Sequence, residues 1–569
     1  MKSRKSKALV ALALVVMMLV SACSGSQKSA PSTTAAGGIA APTTADSIAT
    51  PANFKSDSNL NAPGELPIVK KPVSIKIIYS ATTALADNYA TKYIQDKTGI
   101  TIDWILFPVD QYKEKLNLSL ASSDKADLII PPNAAAARLT KIEEFKYASQ
   151  GLLTPLNDYI KYSSKNVKAL YDEFPEYYQA VTAPDGNIYS FQDIKRPGRG
   201  AYHGTASYKL WINKSWIDRL GLQMPTTTDE IPLSTCTKGA NVQIDGYLMN
   251  AFTYNDPNPN NTTPYLRVSD DGKIEASVTD PNYREGLLYL NKLYSEGLLY
   301  PDSFAQDRAT QAALNESGNA SRIGALPAQH CGYLVASMTE SDRWMEYESL
   351  DPIKGPSGLQ QTPTPHITAD VFPSGLIPKT SENPEVAFRL IDTFYTDEFS
   401  LVINNGEEGK SWKLAGPNAL DSSGKPAVIE TMPLPETDPY FNNNRLPGFP
   451  AISPTAITSS VDQDPKAPKG AGHEVVLYRA TARMEPYKVP MKNVIPNFYY
   501  LSEENEKISS YKATINPYIE ESIARFVTGD LNLKKDWDNY LKELDSLGLK
   551  DYLAIVQDGY DRWKATSKQ

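Results

Sequence analysis

The chain has 569 residues, of which 22% are charged and 41% hydrophobic, and these values are typical of globular proteins. They exclude a collagen-like, coiled-coil or largely disordered chain, and the length predicts several domains or two large lobes. The net charge of −9 disfavours a nucleic-acid partner, because an acidic protein repels a polyanion.

Residues 1–22 have the pattern of a secretory signal peptide. A basic start is followed by an uncharged apolar run, Ala8 to Val20, which is shorter than the roughly 20 residues that a membrane-spanning helix needs. The run ends in Leu-Val-Ser-Ala-Cys, which resembles a bacterial lipobox, and Cys23 would then carry a diacylglycerol. We therefore expect an extracytoplasmic protein anchored to the cell membrane by lipid on Cys23. An ordinary signal peptide with a chance cysteine is the alternative.

Residues 23–66 are expected to form a disordered tether behind the lipidated cysteine. The segment consists mainly of Ser, Thr, Ala, Pro and Gly, and it has few large apolar side chains with which to build a core. Such a tether would let the folded body stand clear of the membrane while staying near it.

From residue 73 the pattern predicts alternating strands and helices. Val73–Tyr79 and Ile100–Leu106 alternate apolar and polar residues, as strands do, and a helical pattern from Asp87 to Thr98 lies between them. A second helix is predicted around Tyr112–Leu120, and a short buried strand at Ala126–Ile130. This order predicts a mainly parallel sheet, with ligands binding beyond the carboxyl ends of its strands.

Further elements follow in the rest of the chain. A strand running into a helix is predicted at Tyr208–Trp216, a helix at Tyr283–Leu293 and a short strand at Arg322–Leu326. Asn383-Pro384-Glu385 predicts a helix start, with Asn as the N-cap and Pro at the first helical position. A last amphipathic helix begins near Trp537, so we predict an α/β fold with a helical C-terminal part.

No catalytic motif is present in the sequence. It contains no His-Glu-x-x-His and no Gly-x-Ser-x-Gly, and Gly409-Lys410-Ser411 lacks the first glycine and the preceding strand of a phosphate-binding loop. We therefore predict no catalytic residues, no metal site and no cofactor. Besides Cys23, only Cys236 and Cys331 are present, and they would form either one disulfide or two free thiols.

Several segments, in order, resemble the family 1 extracellular solute-binding proteins, and especially their large Gram-positive lipoproteins. They include Leu116–Leu128 (LNLSLASSDKADL), Leu210–Pro225 (LWINKSWIDRLGLQMP), Ile377–Tyr395 (IPKTSENPEVAFRLIDTFY), Gly406–Trp412 (GEEGKSW) and Phe526–Trp537 (FVTGDLNLKKDW). The resemblance covers nearly the whole chain after the tether.

This resemblance implies a two-lobe fold of the periplasmic-binding-protein type II kind, with a hinge. Residues 67–207 would form the first lobe, joined by a return segment at about 350–383. Residues 208–349 and 384–569 would form the second lobe and the C-terminal helices. The hinge strand would be Tyr208–Ile212.

One departure from the family pattern concerns calcium. Relatives carry a helix and an oxygen-rich loop between Thr-Thr-Asp-Glu and Ile-Pro, whereas here Thr228-Asp229-Glu230 runs directly into Ile231-Pro232. Residues 256–260 (DPNPN) lack the turn glycine and the following bidentate acid of a calcium loop. We therefore do not expect a calcium site.

Together with the strand ends, the resemblance implies seven candidate ligand-binding residues: Tyr79, Asn133, Tyr333, His330, Trp412, Glu408 and Trp211. Aromatic rings would cover the C–H faces of a sugar, and the polar groups would bond its hydroxyls. Tyr79 could instead complete the apolar face of its strand, and Trp211 could belong to the core.

The function implied is that of a monomeric substrate-binding lipoprotein of an ABC importer. It would bind a carbohydrate, most naturally an oligosaccharide, between its lobes and deliver it to the permease subunits. The alternatives are a surface-anchored enzyme acting on polysaccharide, and a binder of another solute such as a peptide, because a fold does not decide among solutes.

Overall fold

The structure is a computed structural model. It describes residues 54, 56–122, 125–132, 137–192, 209–228, 244–256, 263–362, 372–432, 444–446, 449, 459–467 and 470–566. The predicted signal peptide, Cys23 and most of the tether lie outside these residues, as do Asn133, Tyr208 and Cys236.

The described residues form strands and helices in alternation along the chain. The strands are β1 (Val73–Ser80), β2 (Ile100–Phe107), β3 (Leu128–Ile129), β4 (Ser190–Phe191), β5 (Lys209–Asn213), β6 (Leu266–Val268), β7 (Ile274–Ala276), β8 (Ala325–Ala328), β9 (Tyr347–Ser349), β10 (Gly375–Leu376), β11 (Trp412–Leu414) and β12 (Ile429–Thr431).

The helices before residue 250 are α1 (Tyr89–Thr98), α2 (Tyr112–Ala121), α3 (Lys141–Ser149), α4 (Asn157–Tyr162), α5 (Asn166–Glu173), α6 (Pro175–Val181), α7 (Lys214–Arg219) and α8 (Ile244–Leu248). The later helices are α9 (Pro281–Ser295), α10 (Arg308–Glu316), α11 (Pro384–Phe394), α12 (Asp397–Asn405), α13 (His473–Met484), α14 (Ser502–Thr528), α15 (Trp537–Ser546) and α16 (Leu549–Thr566). The predicted α/β class is confirmed.

The first lobe, as we use the term, is a five-stranded sheet with the elements that pack on its two faces. The strand order is β2-β1-β3-β10-β4, in which β1 is parallel to β2 and β3, and β10 is antiparallel to its neighbours. Both faces are covered: Ile75 and Ile77 point into one hydrophobic cluster and Ile78 into the other. Burial on both faces explains why the neighbouring residues Ile77 and Ile78 of β1 are both buried and why both residues of β3 are apolar.

The return of the chain to the first lobe extends further than expected. α11 and α12 supply side chains, among them Phe388, Leu390 and Ile403, to the same cluster as Ile75. The prediction that the second lobe resumes at residue 384 was therefore wrong for residues 384–405. The apolar pattern predicts the helix α11, but a helical pattern does not say which sheet the helix covers.

A buried carboxylate fixes the start of α11. The Asp127 Oδ1 atom accepts hydrogen bonds from the main-chain N–H groups of Glu382 (3.1 Å) and Asn383 (3.0 Å) and from the Ser381 hydroxyl (2.9 Å). Asn383 is the N-cap residue and Pro384 the first helical residue, as predicted, but the Asn383 side chain makes no capping bond of its own. Asp127 directly precedes β3, so these bonds tie the turn before α11 to the first-lobe sheet.

A second buried carboxylate, Asp392 on α11, holds the start of α5. It accepts hydrogen bonds from the Ser164 hydroxyl (2.5 Å) and from the main-chain N–H groups of Lys165 (3.1 Å) and Val167 (2.9 Å). These N–H groups have no partner within the helix, because the first turn of any helix leaves its donors unpaired. The bonds therefore join α11 to α5.

The folded body begins earlier than the predicted boundary at residue 67. Leu60 is buried in the first-lobe core and forms a bridge with Val69. The Ser56 hydroxyl donates to Glu385 (2.7 Å), and the Arg389 guanidinium donates to the carbonyl of Ala62 (2.6 Å). Composition predicts a tether as far as residue 66, and this boundary is wrong for residues 56–66, whose polar groups pack through hydrogen bonds.

The second lobe, as we use the term, is built on a three-stranded sheet of order β8-β5-β9, in which both neighbours of β5 are antiparallel to it. Leu210 and Ile212 point into a cluster formed with α9, α14, α15 and α16, whereas Trp211 points to the opposite face. The predicted strand at Arg322–Leu326 occupies Ala325–Ala328 instead. In the described part of the chain no helix is long and apolar enough to span a membrane.

We predict that Asp392→Ala lowers the free energy of unfolding by about 2–4 kcal/mol, because several buried donors at the start of α5 lose their acceptor. Asp96→Ala, at an exposed acid on α1, is the matched control, with an expected change below about 0.5 kcal/mol. Urea unfolding of both variants measures the difference. Equal values would contradict the structural role of Asp392.

Candidate ligand-binding cleft

Sheet topology identifies one edge of the first lobe as the candidate binding edge. Gly375, the first residue of β10, pairs with Phe191, the last residue of β4. Since β10 is antiparallel to β3, the carboxyl ends of β1 and β3 lie at this same edge. The chain leaves the first lobe here after Gln192 and returns here before Gly375.

The second lobe has a corresponding edge. Lys209, where the chain enters β5, pairs with Ala328, the last residue of β8. Residues 329–333 therefore continue from the edge at which the chain arrives from the first lobe. Two sheet edges joined by the crossing segments are the usual walls of a ligand cleft in an α/β protein.

Tyr79 lies at the first-lobe edge but is buried. Its ring packs against Trp104 (5.6 Å between centroids) and Phe449 (5.3 Å), and burial raises the pKa of its hydroxyl. In this arrangement the ring completes the apolar face of β1. Asn133 lies outside the described residues, although Pro131 and Pro132, which precede it, end the buried strand β3 at this edge.

His330 and Tyr333 are brought together at the second-lobe edge. Their rings lie 6.4 Å apart, and the His330 Nδ1 atom accepts a hydrogen bond from the N–H of Gly332 (2.8 Å). Tyr333 is half-buried, and the Arg308 guanidinium lies 4.1 Å from its ring centroid. The structure therefore brings an aromatic ring and an imidazole together just beyond the end of β8, and their role in ligand binding stays a prediction.

His473 joins this group from the start of α13 and was missed in the sequence. Its ring lies 5.2 Å from that of His330, and it donates a hydrogen bond to the carbonyl of Gly470 (2.6 Å). Burial lowers the pKa of His473, but its bonds to Glu474 and Gly470 outweigh burial, so the pKa is raised overall. Nothing in the sequence indicates the pairing, because the two histidines are distant in the chain.

Trp211 belongs to the core of the second lobe. It is 0% exposed, and its indole Nε1 donates to the carbonyl of Ala328 (3.1 Å) on the neighbouring strand. Lys209, two residues earlier, is also buried, and burial lowers the pKa of its amine to about 8. Cys331 is a free, buried thiol whose pKa burial raises to about 12.

Trp412 and Glu408 lie in a turn that follows α12. The Trp412 indole is buried against Leu401 and Ile429, and its Nε1 donates to the carbonyl of Gly406 (2.9 Å). Glu408 is exposed. The turn from Gly406 to Ser411 is therefore closed by the tryptophan that begins β11.

Two further groups at the first-lobe edge were not predicted. The buried Gln192 side chain accepts from the Tyr171 hydroxyl (2.9 Å), which holds the chain at the point where it leaves β4. The Arg138 guanidinium lies 3.6 Å from the ring centroid of Phe372, so it joins the segment after β3 to the segment before β10. Such pairs form only when the sheet is assembled.

Within the described ranges, no group of three or more His, Cys, Asp or Glu side chains is placed to hold a metal ion. The segments that bear on calcium, residues 229–243 and 257–262, lie outside those ranges.

Two sheets whose crossing segments leave from one edge of each are the architecture of a two-lobe binding protein. Residues 77–399 match the family model described as bacterial extracellular solute-binding protein. The chain belongs to this family, and its location is accordingly extracytoplasmic.

Individual relatives agree with this assignment. The fructooligosaccharide ABC transporter substrate-binding protein FusA of Streptococcus pneumoniae is 29% identical over 498 residues, which cover 83% of this chain and 86% of FusA. Lipoprotein LipO of Bacillus subtilis is 22% identical over 403 residues, which cover 63% of this chain and 72% of LipO. Both relatives are similar in sequence to this chain over most of its length.

Solved structures show the same fold. FusA in complex with kestose has a TM-score of 0.64 and 25% identity, covering 87% of this chain and 100% of that one. A solute-binding protein from Bifidobacterium longum infantis, named as HMO-binding, has a TM-score of 0.68 and 18% identity, covering 87% of this chain and 99% of that one. Both predictions, the family and the two-lobe fold, are confirmed.

We predict that Trp412→Ala lowers the free energy of unfolding by about 3–5 kcal/mol, because it empties a small core and removes the bond to Gly406. Glu408→Ala is the control in the same turn, and because Glu408 is exposed we expect a change below about 0.5 kcal/mol. Thermal and urea unfolding check both values. A stable Trp412→Ala variant would remove the structural explanation for this tryptophan.

Proposed function

We propose that this chain is the substrate-binding component of an ABC importer and that it binds an oligosaccharide between its two lobes. The observation that carries the proposal is the likeness to FusA, which extends over 87% of this chain and includes a structure with kestose bound. The half-buried Tyr333 and His330 at the second-lobe edge have the chemistry that such a ligand needs.

The mechanism follows from the surface of a sugar. Its ring presents C–H groups on two faces and hydroxyls around its rim, so an aromatic side chain stacks on a face while polar groups bond the rim. By analogy with aromatic pairs, each such contact stabilises the complex by roughly 0.5–1.5 kcal/mol beyond area burial. When the lobes close, water leaves the cleft and these hydrogen bonds become stronger.

The remaining parts of the proposal concern the setting of the protein. The chain acts as a monomer, performs no catalysis, and is anchored to the membrane by lipid on Cys23. The closed, liganded form is the one recognised by the permease subunits. The absence of catalytic motifs from the sequence supports the proposal that the sugar is delivered unchanged.

We predict that kestose raises the melting temperature of the protein and that Tyr333→Ala weakens its binding by about tenfold or more, because a stacking contact worth roughly 1.4 kcal/mol is lost. Isothermal titration calorimetry measures the affinity. Tyr178→Ala is the control, since Tyr178 is an exposed tyrosine on α6.

Two outcomes would contradict the proposal. The first is that neither kestose nor any sugar of an oligosaccharide panel binds, particularly if a peptide panel does. The second is the release of new reducing ends from a polysaccharide, which would indicate an enzyme instead.

We also predict that Cys23→Ser abolishes incorporation of radiolabelled palmitate and releases the protein from the membrane fraction of a Gram-positive host. The serine oxygen cannot form the thioether to diacylglycerol, so the anchor is lost. Cys331→Ser serves as the control, because Cys331 is a buried thiol of the folded body. Continued labelling of the Cys23→Ser protein would disprove the anchor.

A further inference from the structure

Three consecutive aromatic residues, Phe498, Tyr499 and Tyr500, connect the cores of the two lobes. Phe498 and Tyr500 lie in the second-lobe cluster that contains Leu210, and their rings are 4.8 Å apart. Tyr499 lies between them in sequence but belongs to the first-lobe cluster that contains Ile78. The alternation places neighbouring side chains in opposite lobes, as expected of an extended segment.

The first lobe holds this segment by two side chains of α3. The Tyr499 hydroxyl donates to the Glu144 Oε2 atom (2.6 Å), and the Lys141 ammonium donates to the carbonyls of Asn497 (2.7 Å) and Ala180 (2.5 Å). The Lys141 ammonium also lies 5.0 Å from the centre of the Tyr499 ring. All three side chains, Lys141, Glu144 and Tyr499, are buried.

The second lobe holds the other side of the segment. The ring of Phe498 lies 6.3 Å from that of Trp563 on α16, and the carbonyl of Tyr500 accepts from the Asn505 side chain on α14 (3.1 Å). α14 begins directly after the segment, at Ser502. A rotation of one lobe against the other must therefore pass through residues 498–500 or break their packing.

We propose that Phe498–Tyr500 is a pivot of the lobe movement and that the carboxylate form of Glu144 holds it, so that protonation of Glu144 loosens the pivot. A hydrogen bond to a carboxylate is roughly twice as strong as one to a neutral group, so Tyr499 is held less firmly once Glu144 is neutral. Protonation also takes the negative charge of Glu144 away from the buried Lys141 ammonium.

The Glu144 side chain takes up its proton within an experimentally accessible range of pH. Burial raises the pKa of Glu144 to about 7, against the opposing effects of the Tyr499 and Ser190 hydroxyls and the Lys141 ammonium. The titratable and charged groups that act on Glu144 and Tyr499 come from α3, α5, the segment before β4 and the pivot itself: Lys141, Tyr171, Asp185, Tyr189 and Tyr499.

Protonation of Glu144 stabilises the folded protein as a whole, although it loosens the pivot. Because folding raises the pKa of Glu144 from 4.5 to about 7, its contribution to stability is complete below pH 4.5 and is lost as the pH rises through 7. The pivot, in contrast, is tightest above pH 7. If Glu144 had only a structural role, a change of pH would alter the stability of the protein but not the movement of its lobes.

The experiment measures lobe movement without any ligand, so its outcome does not depend on the proposed sugar. Spin labels are placed at Leu118→Cys on α2 and Leu220→Cys after α7, both 64% exposed and in different lobes. The full chain carries Cys23→Ser and Cys236→Ser, while the buried Cys331 stays. Pulsed electron–electron double resonance gives the distribution of distances between the two spin labels at pH 8 and pH 6.

We expect the distribution to be about twice as broad at pH 6 as at pH 8, in keeping with the weaker neutral hydrogen bond. Tyr499→Phe should show the broad distribution at both pH values. Glu144→Gln should show one distribution independent of pH, and it should raise the melting temperature at pH 8 more than at pH 5.

The matched control is Tyr112→Phe. Tyr112 is a buried tyrosine of the same first-lobe cluster, but its hydroxyl donates to Ile130 within that lobe (3.1 Å). This variant should keep the pH response of the parent. A parent distribution that does not change between pH 8 and pH 6, or equal responses in Tyr499→Phe and Tyr112→Phe, would overturn the proposal. Glu144→Gln decides the matter if Tyr499→Phe fails to fold.

Discussion

Buried carboxylates that accept main-chain N–H groups from distant segments hold the first lobe together, and the two-lobe arrangement depends on them. Asp127 accepts hydrogen bonds from the segment that leads into α11, and Asp392 on α11 accepts hydrogen bonds from the start of α5. An ionised oxygen inside the protein is stable only when several donors surround it, so each of these contacts permits one arrangement of the segments. These bonds therefore stabilise the return of residues 381–392 to the first lobe.

Because the first lobe is built from two separate parts of the chain, the connections to the second lobe lie together beside the candidate ligand-binding cleft. A sheet assembled from residues 73–191 and 375–376 has its crossing connections at one edge, and the second-lobe sheet begins and ends its β5 and β8 strands at the corresponding edge. Backbone groups at strand ends are not used up by the sheet, so they are available to solvent or to a ligand. The cleft follows from the topology and requires no special sequence motif.

The buried tryptophans differ in exposure from Tyr333, the residue that we propose stacks on the ligand. Trp211 and Trp412 are buried, and each indole N–H is satisfied by a main-chain carbonyl nearby. Tyr333, by contrast, is only half-buried and lies beside an imidazole and a guanidinium. An aromatic residue can stack on a sugar only if part of its ring remains open, so exposure separates the two roles where residue type does not.

The sequence by itself determined the local elements and the class of protein. Alternation and helical periodicity located β1, α1, β2 and α11 within a few residues, because these patterns reflect burial on one face or two. The ordered resemblance of several segments indicated the family. His330 and Tyr333 could be proposed as neighbours, because they are close in the chain.

Only the tertiary structure decided which lobe each element joins and which side chains meet. The helical pattern of α11 is equally compatible with either sheet, and the polar residues 56–66 carry no apolar signal for their packing. His473 beside His330, and Tyr499 between two residues of the other lobe, are contacts between segments far apart in sequence. Such contacts arise when whole elements pack together. The physical reason is that the hydrophobic effect is not directional, so an apolar face in the sequence does not specify the surface against which it will be buried.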